Sequence, residues 1–311
     1  MRTNHCSGFS LVELLAALAI SALIFAALNG VINQTLNTHE FTREQTDLTR
    51  QARFAMERMV RAIGSSPRLL LPLFNNPSTG HDESVRDVLA VTLDHETDLD
   101  GNGTPDADND GDGRFDEDLP ADATNDSRGG VALIDDDNDG TPDSEWSSKE
   151  DDDEDTVFWP IIADEDPIDG QDNDGDGAID EDPPADMNND GCPGDCGFDD
   201  DGDGTTDEGH PEDDDEDGSN NEDWYDPVVF YLNNGALIER TPVPWDEDGS
   251  SSITGADYIE STIAENVTVF QVKRIPQGPS RSLLLELTLE LTGASGETVK
   301  LHSSVRVAGF R

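Results

Sequence analysis

Positive charge is what this sequence most lacks. Eighteen lysines and arginines stand against 71 aspartates and glutamates in 311 residues, a formal net charge of −53. The deficit is local: 53 of the 71 acidic residues lie between Asp94 and Asp226, opposed only by Arg114, Arg128 and Lys149. Nucleic acid is excluded as a partner of such a stretch, because phosphate binding runs on cations. Aromatic residues make up 6% of the chain and apolar ones 33%, too little to give the acidic stretch a conventional core. Free of metal it should repel itself and stay expanded. Divalent cations are the natural partners of that composition.

Cysteine is scarce as well. Cys6 lies in the extreme N-terminal tail, and Cys192 and Cys196 form a close pair in C-P-G-D-C. The pair leaves three readings open: a small disulfide loop in an oxidising compartment, two free thiols, or a metal site for which only His210 is near. Catalytic patterns are missing too. No G-x-S-x-G, H-E-x-x-H or P-loop string occurs, and the six histidines are scattered. Carboxylate pairs among so many acids carry no information about hydrolysis, so no enzyme is expected.

Only one long apolar run exists. Phe9 to Leu28 spans 20 residues, and Leu14 to Leu28 carries no charge. At about 1.5 Å per residue such a helix is about 30 Å long, the thickness of a bilayer's hydrocarbon core. A cleaved signal peptide would place its small polar residues after the run and would have no use for an internal acid. Here Ser7-Gly8 precedes the run, Glu13 sits inside it, and a helical pattern continues beyond Gly30. The string Gly8-Phe9-Ser10-Leu11-Val12-Glu13 resembles the leader of type IV prepilins and type II secretion pseudopilins. That resemblance implies cleavage between Gly8 and Phe9 by a prepilin peptidase, N-methylation of Phe9, and a Glu13 that meets the terminal amine of a neighbouring subunit. A carboxylate in the bilayer costs about 2.5–3.5 kcal/mol on insertion scales and needs such a partner. The implied location is the bacterial inner membrane, single-pass with the C-terminal head in the periplasm, and then a pilus or pseudopilus made with other pilins.

After Gly30 the helix continues as an amphipathic stem, with Phe41, Leu48, Ala52, Met56, Met59 and Ile63 at helical spacing. Gly64-Ser65-Ser66-Pro67 ends it. Strands are predicted at 87–93, 227–232, 236–240 and 266–273, then 282–291 and 298–307. Asn233-Asn234-Gly235 is the hairpin turn. Leu283, Leu285, Leu287, Leu289 and Leu291 alternate onto one face. The expected fold is α+β: a long N-terminal transmembrane and stem helix packed on an antiparallel β-sheet head, interrupted by an irregular Asp-rich insert. The division is leader 1–8, helix 9–63, head 64–93 with 227–311, and insert 94–226. The element order, Gln51-Ala52-Arg53-Phe54-Ala55-Met56-Glu57-Arg58 and the closing Val305-Arg306-Val307 are similar to PilW-like minor pilins and J-type minor pseudopilins.

The insert's carboxylates are ordered. Asp108, Asp110, Asp112, Gly113 and Asp116 follow D-x-D-x-D-G-x-x-D. The spacing recurs at Asp135, Asp137, Asp139 and Asp143, at Asp172, Asp174, Asp176 and Asp180, and at Asp199, Asp201, Asp203 and Asp207. Asp98, Asp100, Asn102 and Asp106 form a variant; Asp213, Asp215 and Asp217 open another, and Asp186, Asn188 and Asp190 start one that degrades. Calcium takes six to eight oxygens, alternate residues of a tight loop aim oxygens inward, and glycine at the sixth place permits the turn. The loops resemble thrombospondin type 3 and dockerin-like repeats, which implies several bound Ca²⁺ ions. The expected function is a minor pilin or pseudopilin subunit with a calcium-binding insert at the filament tip, for assembly priming or adhesion. The competing reading is a membrane-tethered, calcium-dependent adhesin that meets a surface or extracellular ligand and is not assembled into filaments.

Overall fold

The computed structural model describes residues 11–72, 85–116, 119–120, 122–135, 141–142, 185–188, 190–275 and 283–307. Leu11–Ser65 form a single 55-residue helix, α1, about 80 Å long at the standard rise. Its two halves live in different surroundings. Leu11, Leu18, Leu23, Phe25, Val31 and Leu36 are all exposed, an apolar surface on every side that water does not tolerate over such a length. The most apolar 18-residue window has a mean hydropathy of 2.5, enough by length and composition to cross a membrane. Beyond it, the hydroxyls of Thr35, Thr38, Thr42, Thr46 and Thr49 each donate to the carbonyl four residues back. Those polar groups are thereby satisfied inside the helix, where the apolar rod gives way to the stem.

The second half of α1 has a single buried stripe: Leu48, Ala52, Ala55, Met56, Met59 and Ile63. Phe41 shares the spacing but is 41% exposed. The head reaches the helix only from about Glu44, whose carboxylate accepts the Ser295 N–H, so Phe41 lies outside the covered stretch.

Among the described residues nine strands follow: β1 (Leu69–Leu71), β2 (Val85–Arg86), β3 (Val88–Thr92), β4 (Pro227–Asn233), β5 (Ala236–Pro242), β6 (Tyr258–Ala264), β7 (Val267–Ile275), β8 (Leu284–Thr292) and β9 (Thr298–Arg306). They make two antiparallel sheets, ordered β1-β3-β4-β5-β6 and β2-β7-β8-β9. Beside the expected strands stand three that the sequence pattern hides, β1, β2 and β6. β1 has three residues and β2 two, and β6 carries four consecutive exposed residues at a sheet edge, so none shows a readable alternation. β8 shows it cleanly: Leu285, Leu287, Leu289 and Leu291 are wholly buried and join Met59, Ile63, Phe230 and Phe270 in one core. Each such leucine contributes roughly 1.5–3 kcal/mol by its burial.

Two details position the rest. β3 and β4 pair from Val88 with Tyr231 to Thr92 with Pro227, so a ladder of the five-stranded sheet closes across residues 93–226. β4 and β5 are joined by Asn234 (φ 50°) and Gly235 (φ 80°), the left-handed pair of a type I′ hairpin. The helix is tied to this sheet by charge as well as by packing. Arg58 Nε donates to both oxygens of Glu239 at 3.0 and 3.1 Å, and the Glu239 side chain is 7% exposed.

That geometry gives a stability prediction. Arg58→Ala strands a buried carboxylate and should lower head stability by roughly 2–5 kcal/mol, with Arg58→Ala/Glu239→Gln recovering part of the loss. Urea unfolding of the detergent-solubilised chain measures it; a single variant as stable as the wild type would refute the tie.

Candidate cation-binding loops

Four of the five described copies of the Asp repeat share one forward bond, while in the fifth Asp108 accepts the Gly111 N–H at 2.8 Å. The first-position carboxylate reaches forward and accepts the N–H of the sixth residue: Gly103 to Asp98 at 3.1 Å, Gly204 to Asp199 at 3.1 Å, Gly218 to Asp213 at 3.2 Å and Gly191 to Asp186 at 2.9 Å. The fifth-position side chain accepts the N–H two residues on, as Asp112 does from Arg114 at 2.7 Å and Asp203 from Thr205 at 2.7 Å. The sixth residue must adopt positive φ, 95° at Gly103, 101° at Gly113, 98° at Gly204 and 96° at Gly218, which is why glycine recurs there.

The turns draw alternate carboxylates together. Ligand oxygens of Asp98, Asp100 and Asp106 lie within 4.8 Å of one another, as do those of Asp108, Asp110 and Asp112, and those of Asp199, Asp201 and Asp203. Oxygens bound across one calcium ion are roughly 5 Å apart, so the spacing suits a hard cation. A further group joins separate parts of the insert: Asp110, Asp217 and Glu222. Asp116 faces His95, with 3.7 Å between its Oδ2 and Nε2. Arg114 lies between two loops, 3.6 Å from Asp112 and 3.1 Å from Asp215. Asp135 is described, whereas Asp137, Asp139, Asp143, Asp172, Asp174, Asp176 and Asp180 lie outside the described residues.

Of the three readings of the cysteine pair, the structure adopts the disulfide. Cys192 and Cys196 are bonded, with Cα atoms 5.3 Å apart. Their N–H groups donate to the two oxygens of Asp190, at 2.9 Å each. The bridge therefore closes the degraded loop that begins at Asp186.

Sequence reasoning missed two loops of the same build. Ser127 (φ 64°) donates its N–H to Asp122 at 2.9 Å, and Ser251 (φ 78°) to Asp246 at 3.0 Å. Serine stands at the sixth place in both, so a search for glycine passes over D-x-T-x-D-S and D-x-D-x-S-S. The second loop lies in the head between β5 and β6, and its Asp257, 1% exposed, accepts the N–H groups of Glu247, Asp248 and Thr254. Asp223 was missed as well: 1% exposed, it accepts the N–H groups of Asn109 and Asp116 at 3.1 and 2.6 Å.

At the other end of the chain a comparison decides. Residues 3–29 match the prokaryotic N-terminal methylation motif. No curated protein and no solved structure matches the chain. The matched stretch contains Gly8 and Phe9, which lie outside the described residues, and runs on into α1, where Glu13 sits in the first turn. The methylation motif and the apolar helix together mark a type IV prepilin-like precursor, of the kind a prepilin peptidase processes.

The electrostatics of this prepilin-like chain concentrate in its loops. Burial pushes the carboxyls of Asp106, Asp110 and Asp215 up, and neighbouring aspartates push the same way. Burial likewise raises Asp126, to about 6, against the lowering effect of the Ala132 N–H. A carboxyl raised in the folded state is the reverse of the usual acidic group. Its protonation favours the fold, so its contribution is full below the unfolded value near 4 and is lost as pH rises through about 6. In chelator, amide protection across 122–134 should therefore rise as pH falls from 7 to 5, after correction for intrinsic exchange. Asp126→Asn should abolish the change, and protection that instead fell would contradict the burial.

Proposed function

We propose that this chain is a minor pilin or pseudopilin subunit of a type IV filament machine whose acidic insert binds several calcium ions. The observation that carries the reading is continuity. A methylation motif at residues 3–29 runs without a break into a 55-residue helix that is apolar all round at first and then packs one stripe on a β head. A leader used only for anchoring needs no such stem. In the filament reading the apolar half sits in the membrane before assembly and among other pilins afterwards. Glu13 pairs there with the terminal amine of a neighbour, which rewards only the register that brings the two charges together.

The calcium part rests on the loops. An oxygen-only donor set excludes the soft ligands that zinc prefers and suits calcium. Three or more carboxylates crowd the Asp98, Asp108, Asp199 and Asp213 turns, so a divalent ion relieves repulsion where it is greatest. On this reading the role is structural rather than catalytic. Carried by the head beyond the apolar rod, the insert in this reading would be exposed at a filament tip and serve assembly priming or adhesion.

Two measurements test the two halves separately. Co-expressed with a prepilin peptidase, the chain should yield a mature form that begins at methylated Phe9, and Gly8→Val should block it. The mature form should also appear in sheared filaments; a chain that is cleaved but stays in the membrane would mean a tethered adhesin instead. Equilibrium dialysis of the full chain with calcium should show several bound ions, and circular dichroism should change on chelation. No bound calcium at millimolar concentration would remove the second half and leave the first standing.

A further inference from the structure

The first loop differs from its fellows in where its ninth-position carboxylate goes. Asp98 and Asp100 are exposed, but Asp106 is only 7% exposed, with its N–H donated to the Thr97 carbonyl at 2.8 Å. Asp106 Oδ2 accepts the Leu99 N–H at 2.9 Å. Its Oδ1 is sealed from solvent and has no hydrogen-bond donor among the described residues. A buried carboxylate oxygen with no donor is costly and calls for an explanation. The same side chain belongs to the group in which the oxygens of Asp98, Asp100 and Asp106 lie within 4.8 Å of one another.

The place matters as much as the orphaned oxygen. Asp106 lies at the root of the insert, where the chain leaves β3 and returns to β4. Leu93, just after β3, donates its N–H to the carbonyl of Asp226, just before β4, at 2.9 Å. The Asp226 side chain is 7% exposed and accepts from Asn109 Nδ2 at 3.2 Å. Asp106 and Asp116 both act electrostatically on Asp226, while Arg68 and His95 act on Asp116. The root thus gathers buried acids from both strands of the passage.

We propose that a divalent cation held by Asp98, Asp100 and Asp106 is a structural clasp, which fastens the root of the insert to the end of the β3–β4 ladder. This rests on the calcium reading above and adds to it a site and a consequence. The Asp98 loop is coupled to the folding of the head, whereas an exposed loop such as Asp199–Asp203 is not. The orphaned Asp106 oxygen supplies a ligand already stripped of water, and the ion adds positive charge beside the root's acids.

Hydrogen exchange on the full-length chain in detergent micelles tests it, with calcium chloride or chelator added. In the wild type, chelation should speed exchange across 93–108 and 222–228 by about tenfold or more, the mark of a lost local tie. Asp106→Asn and Asp98→Asn should each bind one ion fewer and show that fast exchange even with calcium. The second variant changes an exposed residue and guards against a folding defect in the first. Asp201→Asn should also lose an ion but keep the root protected. A wild-type root indifferent to chelation while other loops bind calcium would overturn the clasp and leave the calcium reading intact. No bound calcium at all would overturn both.

Discussion

Everything in this structure answers to one constraint: two neighbouring strands of a sheet hold the ends of a strongly acidic segment side by side. The Leu93 N–H meets the Asp226 carbonyl at 2.9 Å, and between them the chain carries nearly all of its net negative charge. Loop entropy alone would not forbid this, since closure cost grows only with the logarithm of length. Charge is the harder problem, because closure raises the density of carboxylates that would otherwise spread apart. The described part of the insert meets it first with backbone. Acid after acid accepts N–H groups two, three or five residues ahead, so each turn is built from the charge that threatens it. Hydrogen bonds to N–H groups lower the energy of a carboxylate but do not cancel its charge. Arg114 does so for Asp112 and Asp215, and Arg128 and Lys149 are the only other basic residues of the segment.

The helix resolves a different conflict with the same economy of parts. A rod that is apolar on every side suits lipid or a bundle of its own kind, and a rod with one buried stripe suits a domain surface. α1 is both in succession, and the change comes where five threonines turn their hydroxyls onto their own backbone. From Glu44 onward the head takes hold, through the stripe that ends at Ile63 and through Arg58 on Glu239. The bidentate contact matters because it is directional. Apolar packing fixes which face of the helix meets the sheet, while a planar guanidinium on a buried carboxylate also fixes the sliding register. A head held in register on its stem sits at a fixed height along α1 from the apolar half.

Much of this was legible in the residues, and the failures share a cause. Glu13 inside an apolar run, the leucine alternation of β8 and the Asn234-Gly235 turn each announce a single physical requirement through residue type. β1 and β6 do not, because a three-residue edge strand and a strand with four exposed residues in a row have no one-sided burial to betray them. The split into two sheets was invisible as well: alternation tells which residues face inward, not where one ladder stops and the next begins. Among the loops, glycine made five described copies readable. Ser127 and Ser251 hide two more, since serine there adopts the same left-handed turn at some conformational cost. Asp223 could not have been found by spacing at all. It serves a loop that begins 115 residues earlier by number, at Asp108, and only the fold makes them neighbours.

That last pairing shows how a row of short repeats becomes one body. A turn with its own ligands needs nothing from its neighbours, and a string of independent turns would move as beads. The described loops are instead cross-braced. Asp223 accepts from Asn109 and Asp116, Asn109 accepts the Trp224 N–H at 3.0 Å, and Asp200 donates its N–H to Glu216 at 2.8 Å. Each brace spends a backbone donor of one loop on a side-chain oxygen of another. Removing charge at one loop would then alter the strain on the next, because the loops share one framework. The braces that join residues 109–116 to 223–226 also lie beside the β3–β4 ladder, so whatever stiffens the insert stiffens the sheet that anchors it to the helix.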